Sequence, residues 1–140
     1  MKNLKEIRWK QRFQNFDKAF CLFEKYADRL EYTELERAGL MQLFETAFEL
    51  AWKVLKDYLE VEGYTVASPR EAIKKAFQIG VIKDGDTWLE ALEDRNLTSH
   101  TYDEEDAIKA VVRIKENYVS ILDSLQNFLL EKLSESGGME

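Results

Sequence analysis

Trp9, Phe13, Phe16, Phe20, Phe23, Ala27 and Leu30 recur in alternating steps of four and three. That spacing puts seven apolar residues, five of them aromatic, along one stripe of a helix. Side chains this large need a broad partner surface, so the stripe predicts a helix over 4–30 whose face is bundle core. A cofactor box is the sharper alternative, but a core stripe is the usual meaning of this spacing. Little in the chain interrupts helices: of 140 residues six are Gly and one is Pro. That suits long helices and not a turn-rich β fold. With 45% hydrophobic and 34% charged residues, positions 1–140 have the make-up of a single globular domain with an ample core.

The remaining helices follow from their start and stop signals. Thr33, with Glu36 three residues on, is a capping-box signature. The helix it opens carries Leu40, Leu43, Phe44, Ala47, Phe48, Ala51, Trp52, Leu55, Tyr58 and Leu59, and stops near Gly63. Gly39 inside it costs about 1 kcal/mol relative to Ala; a close helix crossing would justify that, and accident is the equal alternative. Ser68-Pro69-Arg70-Glu71 reads as N-cap, proline at the first helical position and a capping glutamate, for a short helix ending by Gly80. After a turn over 81–85, Asp86 is expected to cap a second short helix running through Trp88, Leu89 and Leu92 towards Leu97. Thr101 and Glu104 form a further capping box, so the last long helix is expected to begin just after His100 and to reach about Leu133. It has two apolar stripes. One is Ala107, Val111, Ile114, Tyr118, Ile121, Leu125 and Phe128; the other is Ile108, Val112, Val119, Leu122, Leu129 and Leu133. One can face the core and the other needs cover, which predicts a homodimer. The expected architecture is all-α: an antiparallel bundle of three long and two short helices, with a frayed tail from about 134.

A lone cysteine, Cys21, excludes an intramolecular disulfide, and beside the aromatic stripe it reads as a small buried hydrophobe. The opening M-K-N-L-K-E-I-R-W-K holds no apolar stretch of signal-peptide length, and no window approaches the roughly 18 uncharged apolar residues of a membrane span. A cytoplasmic protein is expected. The net charge is −7 and the pI about 4.9, which lacks the broad basic footprint of a non-specific nucleic-acid binder. Lys2, Lys5, Arg8, Lys10 and Arg12 form a local exception at the N-terminus.

Packing explains the helices but not the polar passage at 94–106, D-R-N-L-T-S-H-T-Y-D-E-E-D, which holds the single histidine, His100. On one uninterrupted helix Arg95 and His100 would point roughly 140° apart. They converge only if the helix ends between them, which Thr98-Ser99 and the Thr101 cap imply. His100 then sits at a helix N-terminus, where free N–H groups favour an anion such as phosphate. A neutral imidazole takes or gives a proton near physiological pH, and a guanidinium grips phosphate or stabilises its developing charge. Together they suffice for metal-independent RNA cleavage by attack of a 2′-hydroxyl on the neighbouring phosphate, with Asn96 orienting substrate or histidine. The structural alternatives are plainer. His100 bonds a backbone carbonyl, Arg95 pairs with Asp94, Asp103 or Glu104, and Tyr102 is a half-buried aromatic. The run Asp103, Glu104, Glu105, Asp106 complements the dipole at a helix start. Being adjacent, these carboxylates scatter around the helix instead of converging on a metal. No Gly-rich phosphate loop and no Ser-x-x-Lys or Gly-x-Ser-x-Gly signature is present, and neither cofactor nor metal is expected.

The segment R-N-L-T-S-H-T-Y resembles the R-x4-H-x-Y motif of the HEPN superfamily, in its HepT-type branch, whose members are also named nucleotidyltransferase substrate-binding proteins. The resemblance extends over roughly 35–107, through F-E-L-A-W-K-V-L-K-D-Y-L, S-P-R-E-A-I-K-K-A-F and S-H-T-Y-D-E-E-D-A. It implies a helical-bundle dimer with the two motifs brought together across the interface. It also implies a small nucleotidyltransferase partner in a toxin–antitoxin pair. In such pairs the HEPN protein is a metal-independent ribonuclease, and the partner silences it by transferring AMP to the motif tyrosine. Carried over, Arg95 and His100 are catalytic, Asn96 is the polar residue after the motif arginine, and Tyr102 accepts AMP. A non-catalytic subunit that binds the nucleotidyltransferase, and a purely structural bundle, are the competing expectations.

Overall fold

The structure, a computed structural model, describes residues 4–95 and 103–135. Helix α1 spans Leu4–Ala27, α2 Glu34–Val61, α3 Pro69–Gln78 and α4 Gly85–Asp94. Helix α5 (Glu104–Arg113) continues through a π-helical stretch (Ile114–Tyr118) into α6 (Val119–Glu135), one unbroken rod. There is no strand among the described residues, and no helix there is long and apolar enough to cross a membrane.

The aromatic stripe is core. Trp9, Phe13, Phe16, Phe20 and Phe23 are all but fully buried, and the four phenylalanine rings form a chain of contacts that passes from Phe23 to Phe44 on α2 and from Phe44 to Phe48. The helix stops earlier than its stripe suggests. Leu30 is 98% exposed, outside α1. The Tyr32 hydroxyl donates to the Tyr26 carbonyl at 2.6 Å, supplying a carbonyl near the helix end with the partner that a further turn would have given it. Cys21 is exposed, against expectation, because it lies off the buried stripe.

Ring contacts fix the directions. Trp9 meets Tyr58 and Phe23 meets Phe44, so α1 and α2 are antiparallel. Phe44 stacks on Tyr118 while Tyr58 meets Phe128, so the final rod runs parallel to α2 and antiparallel to α1. The pair α3–α4 is the crossover that makes this possible: it carries the chain back along α2, so that α4 ends beside Glu49 and α5 starts beside Arg37. The bundle is thus the expected one, with α2 in contact with α1, α3, α5 and α6.

Most caps follow the sequence. Glu36 N–H donates to Thr33 Oγ1 at 3.1 Å and Thr33 N–H to Glu36 Oε1 at 2.9 Å, a complete capping box. Ser68 caps α3 with Pro69 in its first turn. Gly63 and Gly80 take φ of 95° and 83°, the left-handed turn of a Schellman close, with Tyr64 N–H to Leu59 O at 2.9 Å and Val81 N–H to Ala76 O at 2.8 Å. Other boundaries differ. Helix α4 starts at Gly85 with Asp84, not Asp86, in the N-cap position and without a side-chain cap hydrogen bond, and it spans Gly85–Asp94; Leu97 lies outside the described residues. The last helix starts at Glu104 with Asp103 as its N-cap; Thr101 lies outside the described residues. The same helix persists to Glu135, so 134 and 135 are helical, not tail. Gly39 has nothing within 4 Å of where a Cβ would stand, so no close crossing explains it.

The two stripes of the last helix are also resolved differently. Val111, Ile114, Tyr118, Ile121 and Leu125 of the first are buried, but so are Leu122, Leu129 and Leu133 of the second. A π turn inserts one residue into the helical register, which rotates the following face by about 100°. The buried face therefore shifts from one stripe towards the other across 114–118. What stays outside is Ile108 and Val112, each nearly half exposed.

Candidate functional site

Of the four residues singled out in the sequence, Arg95 lies in the described part of the chain; Asn96, His100 and Tyr102 lie outside it. Arg95 closes α4: its N–H donates to Ala91 O at 2.9 Å, in the last helical turn. Its guanidinium takes none of the partners expected from the sequence. Arg95 Nη1 donates to Glu49 Oε2 of α2 at 3.1 Å. Asp94 is taken instead by Arg113, whose Nε donates to Asp94 Oδ2 at 2.7 Å, and Glu104 by Arg37, whose Nη2 donates to Glu104 Oε1 at 2.6 Å.

Each of these contacts anchors one side of the 96–102 segment. On the α4 side, Asp94 also accepts from the hydroxyl of Tyr118, which reaches Glu90 Oε1 at 3.2 Å as well. Tyr118 has no exposed surface and stacks on Phe44 at 5.1 Å. Burial first, and then its hydrogen bond to Asp94, raise the phenol pKa well above the usual tyrosine value. The Asp94 hydrogen bond likewise raises that of Arg113. Tyr118 therefore stays a neutral donor and Arg113 a fixed cation, and Asp94 is clamped by both. On the α5 side, Arg37 joins the Tyr32 carbonyl (2.8 Å) to Glu104 and is itself only 12% exposed. Asp103 accepts from Glu105 N–H at 2.9 Å, and three further carboxylates fill the first turn. This is the dipole-complementing helix start read from the sequence.

Arg95 forms one end of a groove of about 480 Å³ along α2, lined also by Gln42, Glu45, Thr46, Glu49 and Leu50. With its side chain 27% exposed, the guanidinium is held by the framework yet open to a solute. Such a cation can receive an anionic oxygen at the joint between α4 and α5. Neither Glu49 nor the Arg113–Tyr118 clamp was found from the sequence. Glu49 is 46 residues from Arg95, and Tyr118 reads there as one more member of an apolar stripe.

Residues 11–131 match a family described as nucleotidyltransferase substrate binding protein like. The chain belongs to that family. A relative from Haemophilus influenzae named probable ribonuclease HepT is 30% identical over 103 residues, 70% of this chain and 67% of its own length. A crystal structure from Thermus thermophilus matches with a TM-score of 0.74 at 32% identity, covering 81% of this chain and 98% of that one. A second, from Haemophilus influenzae and described as the fold of a substrate binding domain of a nucleotidyltransferase, matches with a TM-score of 0.72 at 26% identity, covering 84% and 98%. The family resemblance read from the motif is borne out, as is the helical fold it implies.

Proposed function

We propose that this chain is a HepT-like ribonuclease subunit of a two-component toxin–antitoxin system, paired with a small nucleotidyltransferase that silences it by transferring AMP to Tyr102. The observation that carries the reading is Arg95: a partly exposed guanidinium, braced from α2, opening the segment R-N-L-T-S-H-T-Y. In the proposed reaction His100 takes the proton of an RNA 2′-hydroxyl. The 2′-oxygen bonds to the adjacent phosphorus, the bond to the 5′-oxygen breaks, and that oxygen takes up a proton from water. Arg95 stabilises the charge gathering on the phosphoryl oxygens, and Asn96 orients the substrate. Two chains act together as a homodimer, with Ile108 and Val112 as the apolar surface left for a second copy.

The second reading, a non-catalytic subunit that binds the nucleotidyltransferase, is favoured by the family description and by the net charge of −7, which suits a basic partner better than RNA. One experiment separates them. Protein shown by mass to carry no AMP is incubated with RNA in EDTA, beside Arg95→Ala and His100→Ala. Cleavage that falls by roughly 100-fold or more in each variant is expected; intact RNA with the wild-type chain favours the binding subunit. Incubation with partner and ATP should add the mass of AMP to the wild type and not to Tyr102→Phe.

A further inference from the structure

We infer that Glu49 is the positioning residue of the site, holding the Arg95 guanidinium in the orientation in which it meets phosphate; this rests on the ribonuclease reading above. The backbone of Arg95 is already fixed, by its own N–H to Ala91 O at 2.9 Å and by the clamp on its neighbour Asp94. The charge, however, sits at the end of a long and flexible side chain, and backbone anchoring alone leaves it free to swing. The Glu49 carboxylate supplies the missing constraint from a different element. Phe48, next to Glu49 and fully buried, packs against Trp88 of α4 with ring centroids 5.7 Å apart, so the core itself sets the spacing of α2 and α4. Glu49 thus reaches Arg95 from a helix tied to α4 by a buried ring contact.

The geometry of the contact separates holding from masking. A carboxylate that covers an arginine engages two parallel N–H groups of the fork. Here Arg95 Nη1 alone meets Glu49 Oε2, at 3.1 Å, and the other oxygen, Oε1, lies 4.0 Å from Lys53 Nζ. Among the described residues one donor of the fork is engaged, for orientation, and on this inference the others meet the phosphate. Nor is the pair a stability device. Both side chains are partly exposed, at 27% and 41%, and ion pairs so open to water add little to folding. Its consequence lies in where the guanidinium points.

The test compares wild type, Glu49→Gln, Glu49→Ala and Glu49→Ala/Arg95→Ala as full chains of unchanged helical content, cleaving an oligoribonucleotide in EDTA. Glu49→Ala should lower kcat by about 10- to 100-fold with a smaller effect on KM, as misplacement of a catalytic group does. Glu49→Gln, whose amide oxygen still accepts from Nη1, should restore most of the rate. The double variant should be no worse than Arg95→Ala, because the two residues act as a unit. A Glu49→Ala protein that cleaves as fast as wild type, or faster, overturns the inference; so does a Glu49→Gln protein as slow as Glu49→Ala. The Nη1–H resonance of Arg95 in nitrogen-15 spectra gives a second measure that needs no turnover. It should move towards the position of a free arginine in Glu49→Ala and stay near the wild-type position in Glu49→Gln. If wild-type protein leaves RNA intact while the resonance behaves so, the ribonuclease reading fails and Glu49 still holds Arg95. A resonance indifferent to Glu49→Ala overturns the inference whether or not RNA is cut.

Discussion

Asp57 of α2 is buried to 4% exposure, and the Arg12 Nε that balances it lies 2.6 Å from Oδ2 but out of hydrogen-bond alignment. Loss of hydration raises its pKa more than the Arg12 guanidinium lowers it, so the folded chain holds this proton at higher pH than the unfolded chain does. The contribution of Asp57 to stability is fully present below the ordinary aspartate pKa and is lost as pH rises through the raised folded value. In urea unfolding, the stability of Asp57→Asn relative to wild type should therefore increase between pH 3 and pH 7. A difference constant over that range would show that the Arg12 contact fully compensates the buried charge. The same residue-scale logic explains why Arg95 escaped its expected partners. Asp94 and Glu104 are its neighbours in sequence, but each is claimed by an arginine on another helix, Arg113 and Arg37. Chain proximity does not rank partners when three helices converge.

Local chemistry at the ends of the helices was readable. The capping box at Thr33 and Glu36, Ser68 before Pro69, and the left-handed glycines 63 and 80 all satisfy backbone groups within a few residues of themselves. The π stretch at 114–118 was not readable, because nothing in I-K-E-N-Y distinguishes it from ordinary helix. Its effect is long-range. It turns part of the second apolar stripe into the core, and it carries Tyr118, whose hydroxyl ties α4 to the rod through Asp94. Tyr118→Phe removes a buried hydrogen bond to a carboxylate and should lower unfolding free energy by about 1.5–3 kcal/mol. Urea denaturation measures it, and a loss below about 0.5 kcal/mol, the floor for an ordinary hydrogen bond, would mean that Arg113 alone suffices to hold Asp94.

At the scale of the whole molecule, the crossover through α3 and α4 returns the chain to the middle of α2, where Arg95 meets Glu49. The start of α5 meets the start of α2 through Arg37 and Glu104, and Lys115 donates to the Arg29 carbonyl of the α1–α2 connection. Much of the apolar surplus that predicted a homodimer is buried within the chain, leaving Ile108 and Val112 as the contiguous remainder on the rod. On the proposed reading, light scattering at micromolar concentration should give twice the chain mass, and Ile108→Ser/Val112→Ser should shift it to one; a wild-type monomer would remove the dimer from the proposal. The all-α class, the helix order, most caps, the aromatic core and the family motif are all present in the order of residues alone, because periodicity and capping act over three to five positions. The side-chain partner of Arg95, the exposure of Leu30 and Cys21 and the rotation of the buried face at the π stretch came from packing. Each depends on which distant helix lies alongside, and contacts 46 residues apart, such as Glu49 with Arg95, leave no periodic trace in the chain.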